Sequence, residues 1–144
     1  PYEIVVVASI MEREVFRDED RPKVARVIYN RLAEGMPLQL DSTVAYAANK
    51  TGTIWTTAEE RERNTSPYNT YKYKGLPPGP ISSPARKALD AALNPDDGDW
   101  LFFMPQNLDT GETVFTATKA EHAAAVATFQ EWCTATPEHR AQCQ

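Results

Sequence analysis

Four prolines fall between Ser66 and Ile81 (Pro67, Pro77, Pro78 and Pro80), and they keep regular structure out of the middle of this chain. Each proline fixes its own φ, lacks an N–H donor and pushes the preceding residue towards extended backbone. The stretch reads Ser66-Pro67-Tyr68-Asn69-Thr70-Tyr71 and then Gly75-Leu76-Pro77-Pro78-Gly79-Pro80-Ile81. Such a segment, once placed, holds its shape without helix or sheet ladders. Its rings suit the faces of sugars, and its amides and hydroxyls suit a polar, extended, uncharged ligand. The alternative is a surface loop whose tyrosines anchor in the core.

Helical periodicity dominates the residues before the loop. Ile4, Val5, Ala8, Met11, Val15 and Phe16 share one apolar arc at 100° per residue, which predicts a helix from 2 to about 18. Asp20 is a candidate N-cap for a second helix, with Pro22 in its first turn and Gly35 as its stop after Glu34. Residues 36–41 read as extended, 42–49 as a short helix and 57–63 as a charged, solvated helix behind a Thr cap. After the loop, Ser83-Pro84 opens a helix to about Leu93. Residues 100–104 and 113–116 form a hairpin, and a helix from Thr118 to about Thr134 closes the chain. The expected fold is α+β: one domain of packed helices with a small antiparallel hairpin and a long proline-rich substrate loop.

At 144 residues the chain fits a single domain. Fifteen basic residues are scattered among twenty acidic ones, for a net charge of −5, so a nucleic-acid partner finds no electrostatic footprint. No apolar run approaches the roughly 20 residues of a membrane span. The chain starts at Pro1 and runs straight into apolar residues, so it reads as an excised domain. Cys133 and Cys143 lie in or beside a polar C-terminal segment. A disulfide there would close a loop of about ten residues, worth roughly 3 kcal/mol on the chain-entropy model. Free cysteines there would be exposed, so a bridge between them is expected, pointing to an oxidising, extracytoplasmic compartment; free thiols in a cytosolic protein are the alternative. Zinc-type Cys/His spacing is absent and no metal or cofactor is called for.

Candidate chemistry begins with the Glu12-Arg13-Glu14 pair of acids. Three, four and seven residues from Glu12 stand Val5, Ala8, Val15 and Phe16, so its carboxylate is expected to face the apolar arc. Glu14 lies about 160° further round and is expected to reach solvent more easily. Desolvation raises a carboxyl pKa, and a carboxyl protonated near neutral pH is what a general acid requires. The other reading of Glu12 is a partly buried acid paired with an arginine such as Arg31. The alternation Leu38-Gln39-Leu40-Asp41 puts Gln39 and Asp41 on one face, where both could bond sugar hydroxyls or amides. Asp41 could equally cap the short helix. His122 is a lone histidine on the last helix, and no nucleophile elbow or phosphate loop accompanies it.

In their order and spacing these pieces resemble the YceG-like family of endolytic murein transglycosylases. The resemblance runs from Ala8-Ser9-Ile10-Met11-Glu12-Arg13-Glu14 through Asn30-Arg31-Leu32 and Leu38-Gln39-Leu40-Asp41-Ser42-Thr43-Val44 with Tyr46. It continues through Tyr68-Asn69-Thr70-Tyr71 and Gly75-Leu76-Pro77-Pro78-Gly79-Pro80-Ile81 to Phe115, Thr118, Glu121 and His122. Ser42 stands where the family often has Pro, Arg13 where Lys is frequent, and the segment from Cys133 onwards lies outside the shared pattern. The resemblance implies cleavage of the MurNAc-β-1,4-GlcNAc bond within glycan strands, with Glu12 as the catalytic acid. It also implies a glycan groove carrying Glu14, Gln39, Asp41, Tyr68, Asn69, Thr70, Tyr71, Pro77, Pro78, Thr118 and His122. Muramidase-type hydrolysis with Asp41 as second carboxylate, or a non-catalytic peptidoglycan-binding module, are the competing readings. A family member would carry an N-terminal membrane anchor and a LysM-like subdomain outside residues 1–144. It would act beyond the cytoplasmic membrane beside cell-wall synthases.

Overall fold

Helix α1 (Tyr2–Glu14) is the axis of the fold, enclosed so fully that Val6, Val7, Ala8, Ser9, Ile10 and Met11 are all buried. It packs against α2 (Arg21–Glu34), α3 (Asp41–Ala47) and α5 (Arg86–Leu93). In this computed structural model, which describes residues 1–50 and 55–144, the remaining elements are α4 (Ala58–Arg63), β1 (Phe102–Asn107), β2 (Glu112–Thr116), α6 (Lys119–Thr134) and α7 (Pro137–Gln142). The architecture is α+β, with the antiparallel hairpin packed under α6.

Local signals explain most boundaries. Thr57 and Thr118 each accept the N–H three residues on, while Glu60 and Glu121 reach back to the cap backbone; both are complete capping boxes. Gly35 closes α2 at φ +70°, a left-handed position that glycine adopts without Cβ strain. The hairpin pairs Phe103 with Phe115 and Met104 with Val114, with a register irregularity between Pro105 and Asn107. A methyl at Gly79 would sit 2.8 Å from the Tyr68 hydroxyl, so the proline turn can approach that ring only with glycine there.

Four expectations need correcting. Helix α1 stops at Glu14 rather than near 18, because the backbone turns extended at Val15 and a 3-10 turn follows at Asp18–Asp20. Phe16, counted on the apolar arc, therefore leaves the helix and is 42% exposed. Asp20 precedes α2 but makes no capping hydrogen bond; the fixed φ of Pro22 opens the helix instead. Helix α5 starts at Arg86, two residues after Pro84. Finally, the polar tail contains a helix, α7, opened by Thr136 and Pro137. No correction is needed for Cys133 and Cys143, which are joined by a disulfide.

Candidate active site

A cleft of about 590 Å³ runs between the helical half of the molecule and the hairpin with α6. Its helical wall carries Glu14 at the end of α1, Phe16 just beyond it, Arg31 from α2, and residues 38–41. Phe102 to Pro105 of β1 and His122, Val126 and Phe129 of α6 form the facing wall, and Trp55, Thr56, Arg61 and Tyr71 close one side. Aromatic faces and a few polar groups thus share one concave surface, the usual build of a ligand site.

Glu14 is the chemically distinctive group. As the last residue of α1 it is 8% exposed and lines the cleft, and its Oε2 accepts the Ser42 N–H at 3.1 Å. Burial pushes its carboxyl up from 4.5 to about 7; contacts with Ser42 oppose the shift and the nearby Asp41 carboxylate adds to it. No cation pairs with Glu14 among the described residues, so little holds it ionised. At neutral pH it can give a proton and take one back.

Asp41 has a different environment. Its Oδ1 accepts the Tyr71 hydroxyl in a short hydrogen bond and lies 3.5 Å from Arg61 Nη1, while Oδ2 accepts the Thr56 N–H at 3.1 Å. Three donors occupy this carboxylate, and none of them is the backbone of α3, so it is not the helix cap; Leu40 stands at that position. Burial, together with the Asp41 charge, raises the Tyr71 hydroxyl well above its ordinary value and keeps it a donor. The Arg61 guanidinium lies 5.1 Å from the centre of the Tyr71 ring. On the far wall His122 stacks on Phe102 at 4.7 Å, and burial, with the Arg31 charge, lowers its pKa and keeps the ring neutral.

Glu12 is not in the cleft. It is half-buried, and its Oε1 accepts the Ala85 N–H at 2.9 Å, holding the start of α5. The expectation that Glu12 faces inward while Glu14 reaches water is reversed. Because α1 is covered on every side between Val6 and Met11, its apolar arc does not mark one interior face. Two residues at 100° each put the two acids on nearly opposite sides, and only the side of Glu14 opens onto the cleft. Nor does Glu12 pair with Arg31, whose donors go to backbone carbonyls.

Of the residues expected to contact ligand, the structure brings Glu14, Gln39, Asp41, Tyr71 and His122 to this one cleft. Gln39 is exposed there with its backbone at φ +52°. Tyr68, Asn69, Thr70, Pro77, Pro78 and Thr118 lie outside its lining. Asn69 is fully buried, donating to Arg61 O (2.7 Å) and Asn64 O (2.8 Å) and accepting from Tyr71 N–H (3.0 Å). Thr70 Oγ1 accepts from Leu40 N–H and meets Thr43 Oγ1 at 2.8 Å. Tyr68 packs on Tyr46, Pro78 O accepts from the Tyr2 hydroxyl, and Thr118 is the cap of α6. The sequence places Arg61 on a charged, solvated helix and carries no motif for the aromatic wall of Phe102, Phe103 and Phe129, yet all four line the cleft. Adjacent phenylalanines on a hairpin were the one available signal.

The cleft defines a candidate acid–base catalyst for an extended ligand: one proton-holding carboxyl between aromatic and amide-bearing walls. The chain belongs to the YceG-like family, whose profile matches residues 1–128. It is 44% identical over 123 residues to the endolytic murein transglycosylase of Bacillus subtilis strain 168, covering 84% of this chain and 32% of that protein. It is 37% identical over 128 residues to the endolytic murein transglycosylase of Streptococcus pneumoniae D39, covering 87% of this chain and 23% of that one. The crystal structure of a YceG-like protein from Listeria monocytogenes superposes with a TM-score of 0.80 at 43% identity, over 85% of this chain and 39% of that one. The chain thus spans a third or less of the length of these curated relatives.

Proposed function

We propose that this domain is an endolytic peptidoglycan lytic transglycosylase, cleaving the MurNAc-β-1,4-GlcNAc bond within glycan strands and leaving 1,6-anhydroMurNAc ends. The observation that carries the reading is Glu14, a buried cleft carboxyl with a pKa of about 7 and no cationic partner among the described residues. Membership of the YceG-like family and relatives named for this activity support it. The acid is thus Glu14 rather than Glu12.

Glu14, protonated, donates to the glycosidic oxygen as the bond to muramic C1 lengthens and positive charge develops on the ring. Its carboxylate then takes the proton of the C6 hydroxyl, whose oxygen bonds to C1 and closes the anhydro ring. The acid is regenerated and no water is consumed. A hydrolase needs a second free carboxyl to activate water or attack C1. Asp41 is the nearest candidate, and it is engaged by Tyr71, Arg61 and Thr56. Gln39 and the Phe102 wall would hold sugar hydroxyls and faces on either side of the acid.

Mass spectrometry of products from purified glycan strands tests the reaction. Anhydro-muramic ends are expected; reducing ends would make the domain a hydrolase, and no products would make it a binding module. Murein as substrate places the site outside the cytoplasmic membrane, where a bridge such as Cys133–Cys143 persists. None of the helices among the described residues is long and apolar enough to cross a membrane. On this reading an anchor and a LysM-like subdomain belong to the longer protein, and synthases supply the nascent strands whose growth the cut ends.

A further inference from the structure

Arg31 is a buried cation with donors to spare. It is 7% exposed, yet lines the cleft. Nε donates to Leu101 O at 2.6 Å, and Nη1 donates to Pro37 O at 2.8 Å and Leu38 O at 3.2 Å. Those three N–H groups tie α2 to the start of β1 and to the connector that carries Gln39. Nη2 has two more N–H groups and no acceptor among the described residues, and it is not sealed from solvent. Its planar group is fixed over the Phe102 ring, 4.9 Å from the centroid. Arg17, Arg21, Arg61 and Arg63 each pair with a carboxylate; Arg31 pairs with none among the described residues.

Burying a charge without a counter-ion is costly, and the three carbonyl contacts offset only part of that cost. The backbone ties of Arg31 use three donors, leaving one guanidinium nitrogen of this cleft-lining residue without an acceptor among the described residues. The ligand that completes it is an anion small enough to share the cleft with a sugar. Arg61, the other guanidinium of the cleft, is already neutralised by Asp41.

We propose that Arg31 Nη2 is the subsite for a carboxylate carried by the muramyl residue, and that it sets which sugar of the strand lies across Glu14. This rests on the glycan reading above. In a repeating polymer only the muramyl unit bears an acid, so one fixed cation gives the cleft its register. The carboxylate has two sources: the free lactyl ether of a peptide-stripped strand, or the stem peptide of an intact one.

Isothermal titration calorimetry on the intact protein carrying Glu14→Gln separates binding from turnover. The probes are a peptide-free GlcNAc–MurNAc tetrasaccharide with free lactyl carboxylates, the same molecule with its carboxyls converted to amides, and a peptide-bearing tetrasaccharide. The amidated probe is expected to bind about 10- to 100-fold more weakly than its parent, the range set by one charge-assisted contact. If the peptide-bearing probe matches the free lactyl form the stem supplies the carboxylate equally well; if it matches the amide, the lactyl group is the source. Arg31→Lys should shrink the discrimination between free and amidated probes to a few-fold; should that variant not fold, the probe comparison still decides. Equal affinities, or no binding of either peptide-free probe, overturns the assignment. Loss of the transglycosylase reading would register instead in the products of the wild-type protein.

Discussion

Two adjacent segments, both rich in polar side chains, are used in opposite ways. The connector 36–43 divides its side chains: Leu38, Leu40, Ser42 and Thr43 are buried, while the polar Gln39 and Asp41 line the cleft. In the loop 66–81, by contrast, Asn69 and Thr70 are fully buried and bond to backbone and to Thr43, and only Tyr71 reaches the cleft. The two are joined, because Gln39 N–H donates to Thr70 O and Leu40 N–H to Thr70 Oγ1. One segment presents polar groups to the cleft; the other is the buttress that fixes where they point. An amide or hydroxyl in a loop signals a ligand only when the loop's own backbone does not need it first.

The strongest way to break this comparison is at Glu14, whose carboxyl the connector holds through Ser42. Glu14→Gln is expected to lower glycan cleavage by about 10²- to 10⁴-fold while the fold persists. Glu12→Gln should leave kcat within about threefold, since that acid acts only as a partner of Ala85 N–H. Equal losses in the two variants would return the acid role to both.

Next in size is the stability of the buried carboxyl itself. A group raised from 4.5 to about 7 by folding binds more protons in the native state than in the unfolded one between those values. Stability contributed by the neutral acid is therefore complete below pH 4.5 and falls as pH rises to about 7, by about 3 kcal/mol. Glu14→Gln should remove this dependence, so that the variant is the more stable protein at pH 8 and close to wild type at pH 4. Denaturant titrations at the two pH values check it; parallel pH curves would mean that Glu14 is not desolvated.

Asn69→Ala tests the buttress. It removes donors to Arg61 O and Asn64 O and an acceptor for Tyr71 N–H, all inside the protein, at a cost of about 3 kcal/mol. Melting temperature should fall well before kcat changes in the folded fraction. A large activity loss at unchanged melting temperature would make Asn69 a ligand contact and erase the contrast between the segments.

The smallest effect is expected at Gln39→Ala, on the presenting side. Because the side chain is exposed, stability should stay within about 0.5 kcal/mol of wild type. KM for glycan strands should rise several-fold with kcat little changed, as for a group that binds ground state and transition state alike. An unchanged KM would show that Gln39 lines the cleft without touching the substrate.

What the sequence by itself determined is local. The capping boxes at Thr57 and Thr118, the glycine stop at Gly35 and the hairpin pattern each depend on residues three or four apart, whose interactions are present in any fold that keeps the element. The resemblance through Met11 to Glu14 and Leu38 to Val44 located the right neighbourhood for the same reason: motif spacing survives in the chain. Only the tertiary structure decided which acid of the Glu12–Glu14 pair meets the cleft, because α1 is apolar all round and periodicity cannot rank its faces. Packing also decided that Asn69 turns inward and Arg31 carries an unmatched charge. Their partners, at Arg61, Asn64, Leu101 and Pro37, are brought into reach by folding. Burial and its effect on a proton are properties of everything around a residue, and the chain order alone does not contain that neighbourhood.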